Sequence, residues 1–174
     1  MFKITKSTSQ DISAETLNRL YNEAYPYISD ERKRLGEERL RDALFNDLDK
    51  YPIMKYEVDD YIVGIVSYTE CYYNGKRYMF HRHPIYGCDI NGSKAWWYSE
   101  EFQRENSLYW DNNNFAGLIT IINPNAPAAK AVLAHVGGFD KHCSAPLVID
   151  NPSELGISLS DPTHMLLAID VIKP

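Results

Sequence analysis

The stretch DYIVGIV at residues 60–66 predicts a strand in the middle of the chain. A turn-like Asp59-Asp60 pair introduces it, and its β-branched and aromatic residues are typical of a strand. Residues 54–58 alternate apolar and polar side chains, and Asn74-Gly75 supplies a hairpin turn that can take positive φ. With a further strand at residues 77–86, the pattern predicts three antiparallel strands.

The segment before these strands predicts one strand and two helices. Residues 2–5 alternate as in a strand, and Ser13 is suited to cap a helix that follows. A second helix is expected to end near Pro52, because proline restricts the residue before it. The apolar faces of the two helices are Leu17, Leu20, Tyr21 and Ala24, and then Leu40, Ala43, Leu44 and Leu48.

The segment after them predicts two helices and three strands. Asn91-Gly92-Ser93 is expected to open a helix over residues 94–105, which crosses over to a buried strand at residues 116–122 parallel to the strand ending near Tyr86. A helix should then begin after Asn123-Pro124-Asn125 and end at Gly137-Gly138. Its inner face would be Ala128, Ala131, Val132, His135 and Val136, and apolar runs at residues 146–149 and 165–172 complete the chain.

The predicted order is β-α-α-β-β-β-α-β-α-β-β, an α/β class, and no break in composition suggests more than one domain over residues 1–174. The formal net charge of -6 argues against nucleic-acid binding and mildly favours an amine-bearing partner. The chain has neither an apolar leader nor a membrane-length apolar run, so we expect a cytoplasmic protein. Three cysteines without paired spacing, Cys71, Cys88 and Cys143, predict reduced thiols and no structural metal.

Two segments resemble the GNAT (general N-acetyltransferase) superfamily, and the element order extends the resemblance over almost the whole chain. They are residues 60–66 and NPNAPAAKAVLAHVGGF at residues 123–139. The resemblance implies a mixed central sheet with helices on both faces, and transfer of an acyl group from acetyl-CoA to an amine. The alternative is a catalytically inactive GNAT-fold binding or structural protein, such as a component of a bacteriophage particle.

The resemblance also implies where the cofactor would lie. The family's pyrophosphate loop corresponds to DINGSK at residues 89–94, where backbone amides at a helix start would meet the phosphates. This loop keeps one glycine, and Asp89 stands where the family prefers Arg or Gln. The residues assigned to the cofactor are Ile85, Gly87, Ile90, Gly92, Ser93, Lys94, Asn125 and Ala128. The alternative for residues 91–93 is a plain helix N-cap.

The same resemblance assigns the catalytic roles. A base is expected on the third to fifth strands, where Glu70 and His83 are our candidates, with His81 on the face of His83. The acid for the thiolate would be His135, because no Tyr follows Tyr109. The alternatives are ordinary strand histidines, a pair of metal ligands at His81 and His83, a helix-capping His135, and Cys143 as the acid.

Three consecutive aromatic residues, Trp96-Trp97-Tyr98, cannot all face one core. At least one of them should therefore be exposed or cover a partner surface, for example in a homo-oligomer.

Overall fold

The structure is a computed structural model, and it describes residues 1–25 and 46–173. Within that part, the chain forms a mixed sheet of seven strands in the order β1-β2-β3-β4-β5-β7-β6. The strands are β1 (Phe2–Ser7), β2 (Ile53–Val58), β3 (Tyr61–Tyr73), β4 (Lys76–Tyr86), β5 (Gly117–Ile122), β6 (Leu147–Val148) and β7 (Met165–Asp170). The helices are α1 (Ala14–Ala24), α2 (Glu100–Asn112), α3 (Pro127–Leu133) and α4 (Phe139–His142).

Over the described residues the predicted order of elements is confirmed, with α4 as an addition. The predicted second helix lies mostly outside the described residues. Its described part, residues 46–50, is helical. None of the helices in the described ranges is long and apolar enough to cross a membrane. The chain divides into two compact units: an N-terminal unit of Met1–Tyr68 with Arg82–Trp96, and a C-terminal unit formed by Thr69–His81 with Trp97–Pro174.

Two hairpin turns build the middle of the sheet. Asp59 and Asp60 both have positive φ, 47° and 64°, and join β2 to β3, which pair antiparallel. Asn74 and Gly75 join β3 to β4 with φ of 49° and 74°. Two consecutive positive φ values suit the right-handed twist of the strands, and this is why Asn-Gly and Asp-rich pairs stand here. The predicted turns are therefore confirmed.

The N-terminal unit packs both faces of its strands. On one face, α1 packs against the sheet through a cluster that includes Leu20, Ile53, Ile65 and Ile85. The predicted cap of α1 is confirmed, because the Ser13 side chain accepts a hydrogen bond from the Thr16 amide at 3.1 Å.

The other face of the N-terminal unit is covered by aromatic rings. Trp96 stacks on Phe2 with 5.8 Å between ring centroids and meets Tyr86 edge-on at 5.7 Å. Gly64 lies directly beneath them, since a Cβ there would be 3.0 Å from the Trp96 ring and 3.1 Å from the Tyr56 ring. A side chain at this position would displace the rings.

The C-terminal unit contains the predicted parallel pair. Tyr78–Phe80 of β4 pair parallel with Gly117–Ile119 of β5, which confirms the crossover between these strands. On its other edge β5 pairs antiparallel with β7, with Gly117 opposite Asp170. A Cβ on Gly117 would lie 2.0 Å from the Ile169 carbonyl oxygen, so only glycine fits there.

The predicted helix over residues 94–105 is wrong at its start. A 3-10 turn covers Ala95–Tyr98, and α2 begins at Glu100 with Ser99 as its cap, whose side chain accepts the Phe102 amide at 3.2 Å. The reason is the aromatic run: the turn buries Trp96 and leaves Tyr98 41% exposed, as the packing argument expected. Ser99 followed by two glutamates is also a better helix start than Ser93, because acids favour the first turn.

The predicted inner face of α3 is also corrected. Ala128 and Val136 are exposed, whereas Ala129 and Val132 are buried. The prediction treated Val136 as helical, but the chain leaves the helix at His135, which has a φ of 52°.

Candidate active site

His83 on β4 is paired with a carboxylate that the sequence did not single out. Its Nε2 lies 2.8 Å from the Asp47 Oδ2, and the Arg82 Nε donates to the same oxygen at 3.0 Å. All three residues belong to the N-terminal unit. Because a carboxylate only accepts hydrogen bonds, His83 Nε2 must carry a hydrogen, and the neutral ring then has its lone pair on Nδ1. His83 is therefore arranged as a proton acceptor.

The surroundings of this pair hold it in place. The Arg82 guanidinium lies 4.3 Å from the centre of the Tyr51 ring, and Asp47 belongs to the helical residues 46–50, whose Leu48 is buried in the α1 core. The Asp47 side chain is 16% exposed and that of His83 is 32% exposed. The pair is thus partly shielded from water while the imidazole remains accessible.

The other two candidate bases are less suitable. His81 is 4% exposed, burial lowers its pKa to about 3, and its Nε2 has no partner among the described residues. Glu70 forms an ion pair with Arg77 on the neighbouring strand, and the hydrogen bond from Arg77 lowers the pKa of Glu70. A lowered pKa means a weaker base in both cases.

The loop at residues 89–93 is closed by its own carboxylate. The Asp89 Oδ1 accepts hydrogen bonds from the amides of Asn91 and Ser93, both at 2.9 Å. The Asp89 carbonyl accepts the Gly92 amide at 2.9 Å, and the Asp89 amide donates to the Ser93 carbonyl at 2.9 Å. Gly92 has a φ of 77° and open space where a Cβ would stand.

This arrangement tests whether the loop fits a cofactor diphosphate. A diphosphate would need amides such as those of Gly92 and Ser93 as donors, and both already donate to Asp89. The negative charge of the Asp89 side chain would also repel the negatively charged phosphates. As arranged, these residues do not fit a diphosphate.

The end of β4 is tied to α1 and to the 3-10 turn. The Gly87 amide donates to the Val63 carbonyl at 2.8 Å, and the Gly87 carbonyl accepts the Trp96 indole at 3.1 Å. The Glu23 carboxylate on α1 accepts the Cys88 amide at 2.7 Å. A Cβ on Gly87 would lie 2.4 Å from Glu23 Oε2, so Gly87 allows this close approach. Ile85, another residue assigned to the cofactor, is fully buried against α1.

His135 ends α3 and is held by a backbone group. The amides of His135 and Val136 donate to the carbonyls of Val132 and Ala131, which is a Schellman motif with His135 in the left-handed position. Its Nε2 lies 2.7 Å from the Cys143 carbonyl oxygen, so this nitrogen donates. These contacts favour the interpretation that His135 caps α3. They do not involve Nδ1, the nitrogen that would take part in proton transfer.

The remaining assigned residues lie at the loop and at the start of α3. Ile90 is 57% exposed, Lys94 is partly exposed, and the Asn125 amide donates to the Asn123 side chain at 3.0 Å. Ala128 is exposed on the first turn of α3.

Among the described residues, the cysteines and the other possible metal ligands form no metal-binding group. The three cysteines are free, and burial raises the pKa of the Cys143 thiol to about 11. A thiol that keeps its proton this firmly is a poor acid for a leaving thiolate. Across the described ranges, no three His, Cys, Asp or Glu side chains are grouped so that they could hold a metal ion.

Comparison with known proteins supports the architecture. No protein-family model and no curated protein matches the chain. A solved structure described as a "probable acetyltransferase" from Staphylococcus epidermidis aligns with 99% of this chain and 100% of its own, with a TM-score of 0.54 and 20% identity. The fold is that of the GNAT acetyltransferases.

Two further solved structures align more weakly. An N-acetyltransferase from Staphylococcus aureus covers 96% of each chain with a TM-score of 0.48 and 12% identity. A ribosomal-protein-alanine N-acetyltransferase from Brucella melitensis covers 98% of this chain and 99% of its own, with a TM-score of 0.47 and 16% identity.

Sequence reasoning missed Asp47 and Glu23. Both are helical acids far along the chain from the residues that they contact, His83 on β4 and Cys88 just after it, and no local spacing connects them. The Asx-turn pattern of Asp89, an acid two and four positions before the amides that it accepts, was available in the sequence as a signal.

Proposed function

We propose that this protein is an N-acyltransferase that moves an acyl group from a thioester, acetyl-CoA or a related donor, to an amine. The observation that carries the proposal is a hydrogen-bonded pair in a GNAT fold: His83 stands on the fourth strand, and Asp47 contacts it from the helical residues 46–50. The likeness to the Staphylococcus epidermidis protein supports the fold, and the pair supplies the base that acyl transfer requires.

In the proposed reaction, the amine nitrogen attacks the thioester carbonyl carbon, a C–N bond forms and the C–S bond breaks. His83 accepts the proton that the amine loses, through Nδ1, and Asp47 stabilises the imidazolium that results. The departing thiolate gains a proton, for which the sequence suggested His135 as donor. Because its Nε2 donates to the Cys143 carbonyl, His135 would have to start as the imidazolium and give the proton from Nδ1. No metal or redox step is needed for this balance.

The acceptor is proposed to be an amine-bearing small molecule or protein. The net charge of -6 adds a general attraction for a cationic substrate, though this attraction is weak at physiological salt.

A second candidate function is supported by a different observation. The Asp89 carboxylate accepts hydrogen bonds from backbone amides that a cofactor diphosphate would need as donors. This favours a GNAT-fold protein that binds a partner or serves as a structural component without catalysis.

The two candidates differ in whether an acylated product forms. The full-length protein should be incubated with acetyl-CoA, or with S-acetylpantetheine, and a panel of primary amines, and the products identified by mass spectrometry. The proposal expects an acylated amine that is absent when His83→Ala replaces the wild type. If no amine is acylated with either donor, the non-catalytic function takes its place.

A further inference from the structure

The loop at residues 89–93 contains its own anion, the carboxylate of Asp89. Its carboxylate accepts the amides of Asn91 and Ser93, and the carbonyl of the same residue accepts the Gly92 amide, all at 2.9 Å. Three successive amides are therefore directed at Asp89. A bound phosphate group in such a loop would be surrounded in a similar way.

Displacing Asp89 would be unfavourable for two reasons. Its hydrogen bonds are charge-assisted and local, and they would be lost before a phosphate could replace them. The displaced carboxylate would also remain within the same short loop and repel the incoming diphosphate.

We infer that this chain does not hold the diphosphate of a CoA thioester at residues 89–94, and that its acyl donor is a pantetheine-type thioester that need not carry the nucleotide. The inference rests on the proposed function for the donor class. In ordinary CoA-dependent catalysis, binding energy from the remote nucleotide contributes to the reaction, so that truncated donors react poorly. In this protein, removing the nucleotide should have little effect.

Amide chemical shifts in a ¹⁵N-labelled protein test the loop directly, without any requirement for activity. The protein is titrated with the 3′-phospho-ADP fragment of CoA while the Asn91, Gly92 and Ser93 resonances are followed. We expect no saturable shift of these three amides. A saturable shift of all three in the wild type would overturn the inference.

Two variants of Asp89 separate the effect of its negative charge from the effect of its hydrogen bonds to the loop amides. Asp89→Ala removes the acceptor and leaves the amides of Asn91 and Ser93 unpaired, whereas Asp89→Asn keeps an acceptor oxygen. Asp89→Ala should bind 3′-phospho-ADP at least about tenfold more tightly than the wild type, and Asp89→Asn should not. If Asp89→Ala, with a dispersed spectrum that shows it is folded, gains nothing, the carboxylate is not what excludes the diphosphate.

Calorimetry with two donors separates this inference from the proposed function. The dissociation constants of acetyl-CoA and S-acetylpantetheine should agree within about threefold. A preference for acetyl-CoA above about tenfold, accompanied by shifts of the loop amides, would contradict the inference and leave the acyltransferase intact. If neither donor binds and the loop amides do not shift, the loop inference stands and the proposed function fails.

Discussion

The Asp47 Oδ2 lies 2.8 Å from the His83 Nε2, and this contact joins the helical residues 46–50 to the fourth strand within the N-terminal unit. It fixes which imidazole nitrogen carries the hydrogen and leaves Nδ1 as the basic atom. A carboxylate in this position orients the ring.

Replacing Asp47 should slow acyl transfer more than it weakens donor binding. We expect Asp47→Ala to lower kcat by about tenfold or more with a smaller change in KM, because the ring loses its orientation and its counter-charge. Asp49→Ala is a matched control, since Asp49 also lies within the helical residues 46–50 and is exposed. Imidazole ¹⁵N spectra should show His83 losing its Nε2–H tautomer preference in Asp47→Ala and keeping it in the control. An unchanged tautomer together with an unchanged kcat would contradict the positioning role of Asp47.

Two buried glycines should differ in how much an added methyl group destabilises the protein. Gly117→Ala places Cβ 2.0 Å from a backbone oxygen of β7, which cannot move without breaking the β5–β7 pairing. Gly64→Ala meets ring atoms of Trp96 and Tyr56 at 3.0 and 3.1 Å, which can shift by a few tenths of an ångström. We expect losses of about 3 kcal/mol or more for Gly117→Ala and about 1–2 kcal/mol for Gly64→Ala in urea unfolding. The reverse order would show that the backbone contact of Gly117 is not rigid.

Much of the fold could be predicted from the sequence, because turns and capping are local. Asn74-Gly75 and Ser13 act on neighbouring residues, and the structure confirms both. The start of α2 could not be placed, because it depends on where Trp96 packs, against Phe2 far away in the chain.

The candidate site was less predictable, for the same reason. His83 could be proposed from its strand position, but Asp47 reaches it across 36 residues and leaves no local pattern. Asp89 was recognised as an unusual charge, yet its effect on the loop depends on hydrogen bonds that only the structure shows. The role of His135 turned on a φ of 52°, which helical periodicity does not reveal.

Burial of His81 makes the stability depend on pH. Its folded pKa is about 3, below the ordinary value of 6.5, so the unfolded chain binds the proton more readily than the folded protein. The contribution of neutral His81 to the free energy of unfolding is complete above pH ~6.5. It is lost progressively as the pH falls towards the pKa of His81 in the folded protein. Between pH 7.5 and 5, the wild type should lose about 2 kcal/mol more than His81→Leu in urea unfolding. Equal losses in both proteins would show that His81 is accessible to solvent protons.

His135 provides a test of capping against catalysis. His135→Gly relieves a left-handed strain of about 1 kcal/mol and loses a hydrogen bond of about 1 kcal/mol, so its stability should change little. His135→Ala keeps the strain and loses the bond, and should be destabilised by about 1 kcal/mol. If His135 only caps α3, His135→Gly should retain acyl transfer to within about threefold of the wild type. A folded His135→Gly that has lost transfer by about 100-fold would instead assign it as the acid.

Acyl transfer with His83 as its base is tested by the amine-dependent release of free thiol from S-acetylpantetheine and acetyl-CoA, measured side by side for the wild type and His83→Gln. Glutamine keeps a polar side chain of similar reach but cannot accept and carry a proton, so the folded variant isolates the base. We expect thiol release by the wild type with both donors and a fall of about 100-fold in His83→Gln. Amine-dependent release that is equally fast in His83→Gln would contradict this role of His83.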